Sequence, residues 1–226
     1  MSTIGIIGSG NIGSVLSRLA VDAGYDVVIA NSRGPQSLTE LVDGLGPKAR
    51  AATVAEAAAA GDLVVVTIPL GRVEELPADL LTGKVVIDTC NYYPERDGDI
   101  AALDSHELTT SGLVQRHFAG ARVVKAFNNI FAENLGVLQR PAGAPDRTTL
   151  TIAGDDEAAE EAVAQFIDAI GYDTFDTGSL ADSWRFQRDQ PAYAPAYTEH
   201  GDPSEPRRLT QQDLQALLEQ ADRSVR

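Results

Sequence analysis

The sequence of 226 residues predicts an α/β fold, a doubly wound parallel sheet followed by a small C-terminal α/β portion, an arm and a last helix. Three observations predict it. Short β-branched runs alternate with Ala-rich amphipathic stretches through the first two-thirds of the chain, the rhythm of a sheet covered by helices on both faces. A glycine-rich turn, Gly8-Ser9-Gly10-Asn11-Ile12-Gly13, lies between the first apolar run and the first helical pattern. After Asn129 the rhythm breaks at a Pro/Gly-rich stretch, 140–145, and resumes as a shorter strand–helix–strand pattern.

Taken in order, strands are expected at 3–8, 26–31, 62–68, 84–88 and 122–126. A helix over 11–23 joins the first two, with Ile12, Val15, Leu16 and Leu19 at helical spacing. A second helix is expected over 36–42. Thr53-Val54-Ala55-Glu56 is a capping-box pattern, so Thr53 starts a short helix that runs through Ala60. Beyond the break come a strand at 149–153, a helix at 156–170 and a strand at 172–176. Asp155, Asp156 and Glu157 crowd that helix start, where the dipole favours negative charge. A further helix is read over 179–190. The proline-rich segment 191–206 reads as an extended arm, and 210–222 as an amphipathic helix carrying Leu214, Leu217, Leu218 and Ala221 on one stripe. The expected division is 1–139 for a dinucleotide domain, 140–190 for a portion completing a substrate cleft, and 191–226 for arm and helix.

Composition narrows the classes of function. A chain of this size buries roughly 70% of its unfolded surface, enough for a real core. The net charge of −15 repels a phosphate backbone, so nucleic acid is not an expected partner. Cys90 is the only cysteine, which rules out an intrachain disulfide and suits a reducing cytoplasm. With neither a leader segment nor an apolar run of about 20 residues, a cytoplasmic protein without membrane contact is expected. The three histidines, His106, His117 and His200, are scattered over predicted surfaces, so no metal site is expected. Cys90 reads as a small apolar filler.

The glycine turn gains meaning from its setting. Ile4-Gly5-Ile6-Ile7 supplies a strand directly before it, a helical pattern follows, and a second strand ends at Asn31. That is the Rossmann-type dinucleotide fingerprint: Gly8 for the tight turn, Gly10 for backbone approach to a pyrophosphate, Gly13 for close helix–strand packing. Where an Asp or Glu would bond the ribose 2′-hydroxyl of NAD, this chain has Asn31-Ser32-Arg33, so NADP(H) is favoured. The loops at the carboxyl ends of the strands should line one crevice: Gly8 to Gly13, Thr67-Ile68-Pro69, 89–94, and Ala126-Phe127-Asn128-Asn129. Lys125 is the one cation expected near it.

At these residues the sequence resembles the NADPH-dependent reductases of the deazaflavin coenzyme F420 and, beside them, the cytosolic domain of the six-transmembrane ferric reductases. The resemblance rests on the glycine turn, Asn31-Ser32-Arg33, Thr67-Ile68-Pro69, Val123-Val124-Lys125-Ala126-Phe127-Asn128, Ala153-Gly154-Asp155-Asp156 and Asp176-Thr177-Gly178-Ser179-Leu180. It implies a nicotinamide lying against a flat deazaflavin or flavin ring. Ser9, Asn11 and Ile12 would lie along the pyrophosphate, Ser32 and Arg33 would hold the 2′-phosphate, and Ile68 and Pro69 would back the nicotinamide. Ala126 would present backbone to its carboxamide, with Asn91, Phe127 and Asn128 beside it. Leu70 departs from the larger aromatic expected of deazaflavin reductases, and neither the 91–94 loop nor the tail from Gln190 matches a family pattern.

Hydride transfer between such rings needs positioning and no protein nucleophile, so no catalytic side chain is assigned. Two other readings keep NADPH: reduction of a flavin, imine or carbonyl with Tyr92 or Tyr93 as proton donor, or a non-catalytic electron-delivery module. Trp184, Phe186, Tyr193 and Tyr197 gather near the C-terminus, to cover a ring or to anchor an arm. A homodimer is expected from the resemblance and from the apolar stripe of the last helix.

Overall fold

The computed structural model describes residues 2–224. An eight-stranded sheet runs in the order β3-β2-β1-β4-β5-β6-β7-β8. Its strands are β1 Thr3–Ile7, β2 Asp26–Ala30, β3 Ala49–Ala51, β4 Leu63–Val66, β5 Val85–Asp88, β6 Arg122–Ala126, β7 Thr149–Gly154 and β8 Asp173–Asp176. The first six are mutually parallel, β7 is antiparallel to β6, and β8 is parallel to β7. This is a Rossmann-type doubly wound sheet, and its strand order reverses between β1 and β4, where such sheets open a crevice at their carboxyl ends.

The central strands are apolar along their whole length because both faces are covered. Val65, Ile87 and Val124 enter one core with Ile4 and Ile6, while Val64, Val66, Val86 and Val123 enter the other with Ile7. The first face is covered by α1 (Asn11–Asp22) and α8 (Glu157–Ala169), through Leu16, Leu19, Val163 and Phe166. The second is covered by α6 (Thr110–His117) and a 3-10 turn, Leu70–Glu75. Between them come α2 (Thr39–Leu45), α3 (Val54–Ala60), the single turns α4 (Pro94–Asp97) and α5 (Ala101–Asp104), and α7 (Ala132–Leu135). The Thr53–Glu56 capping box starts α3 as expected. Among the described residues no helix is long and apolar enough to cross a membrane.

The C-terminal third departs from expectation. The segment read as a helix over 179–190 is a 3-10 helix, Leu180–Phe186, that ends at Gln187. The 191–206 arm is not extended. It folds into a 3-10 turn, Ala194–Tyr197, and a hairpin of β9 (Thr198–Glu199) and β10 (Asp202–Pro206). Ala192, Ala194, Phe186 and Tyr197 are buried in the chain's own core, and the Tyr197 hydroxyl donates to the Thr149 carbonyl. The last helix, α9 (Gln211–Glu219), buries Leu214 and Leu218 in that same core, with Leu217 against it. Its stripe is satisfied within the chain and makes no demand for a second copy.

Candidate functional site

The site begins at the turn between β1 and α1. Gly8 has a φ of +119°, and a Cβ there would lie 2.1 Å from the Thr67 carbonyl oxygen. A Cβ on Gly13 would lie 2.1 Å from the Gly8 carbonyl oxygen. Both positions therefore require glycine for sterics. Gly10 differs: a Cβ there would meet no heavy atom within 4 Å. Its hydrogen faces open space at the N-terminus of a 12-residue helix. The first intrahelical bond is donated by the Ser14 amide to the Gly10 carbonyl, so the amides of Asn11, Ile12 and Gly13 have no helical acceptor. No side chain caps them and the first turn holds no acid, unlike α3 and α8, which begin on capping Thr53 and Asp156. The positive end of the dipole is thus left open to an anion.

One side chain ties this turn to the end of β2. Asn31 donates to the Ser9 hydroxyl at 3.1 Å and to the Ser37 hydroxyl at 2.9 Å, while its Oδ1 accepts from the Arg33 amide at 2.9 Å. This Asx turn presents Ser32 and Arg33 outward. Both are exposed, and the Arg33 guanidinium has no protein partner among the described residues. No carboxylate occurs from Asn31 to Gly34. A dianionic phosphate beside this loop meets a free guanidinium fork and no repelling acid.

At the other end of the crevice, Thr67 and Ile68 are half-buried and Pro69 is exposed, standing beside the turn. Ala126 closes β6 with its side chain buried. Phe127 then adopts a φ of +60°, a left-handed conformation uncommon for a bulky residue. Its ring does not face the crevice; it packs edge-on against Phe166 in the core, so only its backbone is available to a ligand. The strained residue turns the chain so that the Asn128 carbonyl accepts from Asn91 Nδ2 at 2.7 Å, and Asn128 Nδ2 reaches back to Asn91 Oδ1 at 3.3 Å. Asn128 also donates to the Phe186 carbonyl, which fixes the 3-10 helix against the crevice.

Several expectations need correction. Lys125 lines no crevice: it is fully buried among Asp88, Cys90 and Ser111. Tyr92 is not a free proton donor, because its hydroxyl contacts the Gly98 carbonyl and Asp104 and accepts from the Ile100 amide. The Tyr93 hydroxyl lies 2.6 Å from that of Tyr193, and its ring is flanked by Arg96 and Arg188, each 4.7 Å from the ring centre. Burial, then the bond to Tyr93, raises the Tyr193 phenol above the ordinary tyrosine range. His117 is half-buried, with its ring against Phe118 and Nε2 at 2.9 Å from the Leu76 carbonyl, so it is no solvated surface residue. The Tyr93–Tyr193 contact spans a hundred positions and leaves no local signal.

Residues 3–92 match the family described as NADP oxidoreductase, coenzyme F420-dependent. Over 181 residues, 79% of this chain, the sequence is 30% identical to metalloreductase STEAP3 of Rattus norvegicus. Among solved structures, hypothetical protein SMa0349 from Sinorhizobium meliloti is 30% identical, with a TM-score of 0.75 over 86% of this chain and 94% of that one. The family match covers the stretch from β1 to the loop after β5. A proposed F420-dependent NADP-reductase from Arthrobacter sp. FB24, at 24% identity, shares the fold with a TM-score of 0.66, covering 81% of this chain and 87% of that one. The chain spans about a third of the length of the curated rat relative, 34%. In this matched stretch the open Gly10, the bare α1 amides and the acid-free Asn31–Gly34 loop are all features that suit a phosphorylated dinucleotide.

Proposed function

We propose that this oxidoreductase binds NADP(H) across the β1–β4 switch point and exchanges a hydride with a flat deazaflavin-type ring, coenzyme F420 by chemical class. The observation that carries the proposal is the pairing of an uncapped α1 N-terminus with an unpartnered Arg33, joined through Asn31. The amides of Asn11, Ile12 and Gly13 carry the pyrophosphate, with Ser9 beside it. Ser32 and Arg33 hold the 2′-phosphate. Thr67, Ile68 and Pro69 back the nicotinamide, and the backbone at Ala126 to Asn128, with Asn91, orients its carboxamide. The nicotinamide supplies the hydride when bound. What the protein contributes is alignment of two planes and exclusion of water, worth several powers of ten without a protein nucleophile.

The test has two arms. Arg33→Ala is expected to weaken NADPH by about 10- to 150-fold, the value of one charge-assisted pair of roughly 1.5–3 kcal/mol, and to leave NADH nearly unchanged. Equal changes for both dinucleotides would remove Arg33 from the discriminating role. For the acceptor, NADPH oxidation is followed with a deazaflavin, FMN, FAD and ferric chelates. Bleaching of deazaflavin absorbance supports the proposal, and turnover confined to other acceptors overturns it.

A second reading is favoured by one observation: the rat metalloreductase is about three times as long as the stretch this chain matches. On that reading this chain is an NADPH-binding module that delivers electrons to an acceptor held by a partner protein. Tight NADPH binding without turnover on any free acceptor distinguishes it.

A further inference from the structure

Directly beneath the crevice, at the carboxyl ends of β5 and β6, lies a polar cluster that the hydride chemistry does not use. Asp88, Ser111 and Lys125 are each 0% exposed. The Ser111 hydroxyl donates to Asp88 Oδ2 at 2.5 Å. Lys125 Nζ donates to the Ser111 hydroxyl at 3.1 Å and lies 3.9 Å from Asp88 Oδ2. A buried pair of charges contributes little net stability against an apolar filler of the same shape, so its presence calls for another role.

The role is visible in what the two charges hold. Asp88 Oδ1 accepts from the Cys90 amide at 2.9 Å, and Lys125 Nζ donates to the Cys90 carbonyl at 3.0 Å. Both polar atoms of one peptide residue are gripped from opposite signs of the same pair. Cys90 in turn directs its thiol to the Ile68 carbonyl at 3.3 Å. It also immediately precedes Asn91, whose side chain holds the Asn128 carbonyl. The crevice loops after β4, β5 and β6 are therefore joined through Cys90, which the buried pair clamps, and its neighbour Asn91.

We infer that Asp88 and Lys125, with Ser111, are positioning residues that set the nicotinamide end of the crevice by clamping Cys90. The inference rests on the nucleotide reading above for what occupies that crevice. Among the described residues no hydrogen bond or ion pair joins the adenosine end, from Ser9 to Arg33, to the cluster. Burial pushes the Lys125 ammonium below the ordinary lysine range, against the pull of Asp88.

Cys90 is the chain's only cysteine and is buried, so its rate of thiol–disulfide exchange under native conditions reports the clamp directly. The experiment compares the full chain with Lys125→Met and with the milder Ser111→Ala, which preserves folding if the first does not. Thiol reaction with an aromatic disulfide is measured beside the dissociation constants of NADPH and of 2′,5′-ADP, which lacks the nicotinamide. The expected result is thiol–disulfide exchange faster by tenfold or more and NADPH weakened about tenfold, with 2′,5′-ADP within twofold of the parent. Equal weakening of both nucleotides, or unchanged thiol reactivity in both variants, overturns the inference. If the parent binds neither nucleotide, the nucleotide reading fails, and the thiol rates still decide whether the pair clamps the loop.

Discussion

Replacing Gly10 by alanine separates binding from folding at a single atom. The residue sits at φ −72° and ψ −169°, a conformation open to any L-residue, and the added Cβ would meet nothing within 4 Å. The fold therefore loses only the modest preference of an N-cap for glycine over alanine, about 0.5–1 kcal/mol. For a chain of this size that is roughly 1–4 °C in Tm. The same methyl occupies the space through which a pyrophosphate reaches the bare amides of Asn11, Ile12 and Gly13. Loss of one charge-assisted hydrogen bond of about 1.5–3 kcal/mol raises the NADPH Kd by about 10- to 150-fold. Gly13→Ala supplies the contrast, because its Cβ would fall 2.1 Å from the Gly8 carbonyl oxygen and 2.9 Å from Thr67 Cγ2. That variant is expected to lose about 1–3 kcal/mol of stability through strain in a packed turn. Fluorescence titration of NADPH and thermal unfolding of both variants make the comparison. A Gly10→Ala protein that binds NADPH as tightly as the parent would show that no pyrophosphate crosses this turn.

Two further outcomes are expected away from the crevice. Leu214→Ala should destabilise the chain by about 2–4 kcal/mol in denaturant titration, because Leu214 is fully buried in the chain's own core; a loss below about 1 kcal/mol would place α9 at the surface. Glu160 is pushed up to about 6 by burial first and by Asp176 and Asp155 beside it. Its folded pKa thus lies above its unfolded value, the folded state holds more protons between about 4.5 and 6, and stability falls as pH rises through that window. Glu160→Gln should then gain about 1–2 kcal/mol at pH 8 and nothing at pH 4, and an equal difference at both pH values would dismiss the charge argument.

The parts legible in the sequence are those whose cause is local. A β-branched run buried on both faces reads as a strand wherever it occurs, and the glycine turn is recognisable because each glycine answers a contact with its immediate neighbours. Asn31 was legible only as the absence of an acid. Its bonds to Ser9 and Ser37, which set the turn and the Arg33 loop in one frame, depend on tertiary placement. The 191–206 segment was misread for a related reason. Proline density reads as an extended arm, yet Tyr197 and Ala192 find a core made by residues from β6 to β8, which no local pattern announces.

The same distinction explains why the two ends of the crevice differ in how far their chemistry can be argued. The dinucleotide end is made of backbone amides and a free guanidinium from one continuous stretch, so its ligand follows from charge and open space. The other end holds Asn91, Tyr93, Asn128 and Tyr193, brought together across a hundred positions by hydrogen bonds among themselves. Groups that satisfy one another specify a shape more than a charge, and on the proposed reading that shape takes a flat ring without choosing among flat rings. The buried Asp88–Lys125 pair bears on that choice from below, because by clamping Cys90 it fixes how far the Asn91 and Tyr93 loop stands from Ile68 and Pro69. Acceptor preference should accordingly respond to substitutions in that pair that never touch the acceptor, whereas NADPH-over-NADH preference should respond only at Ser32 and Arg33.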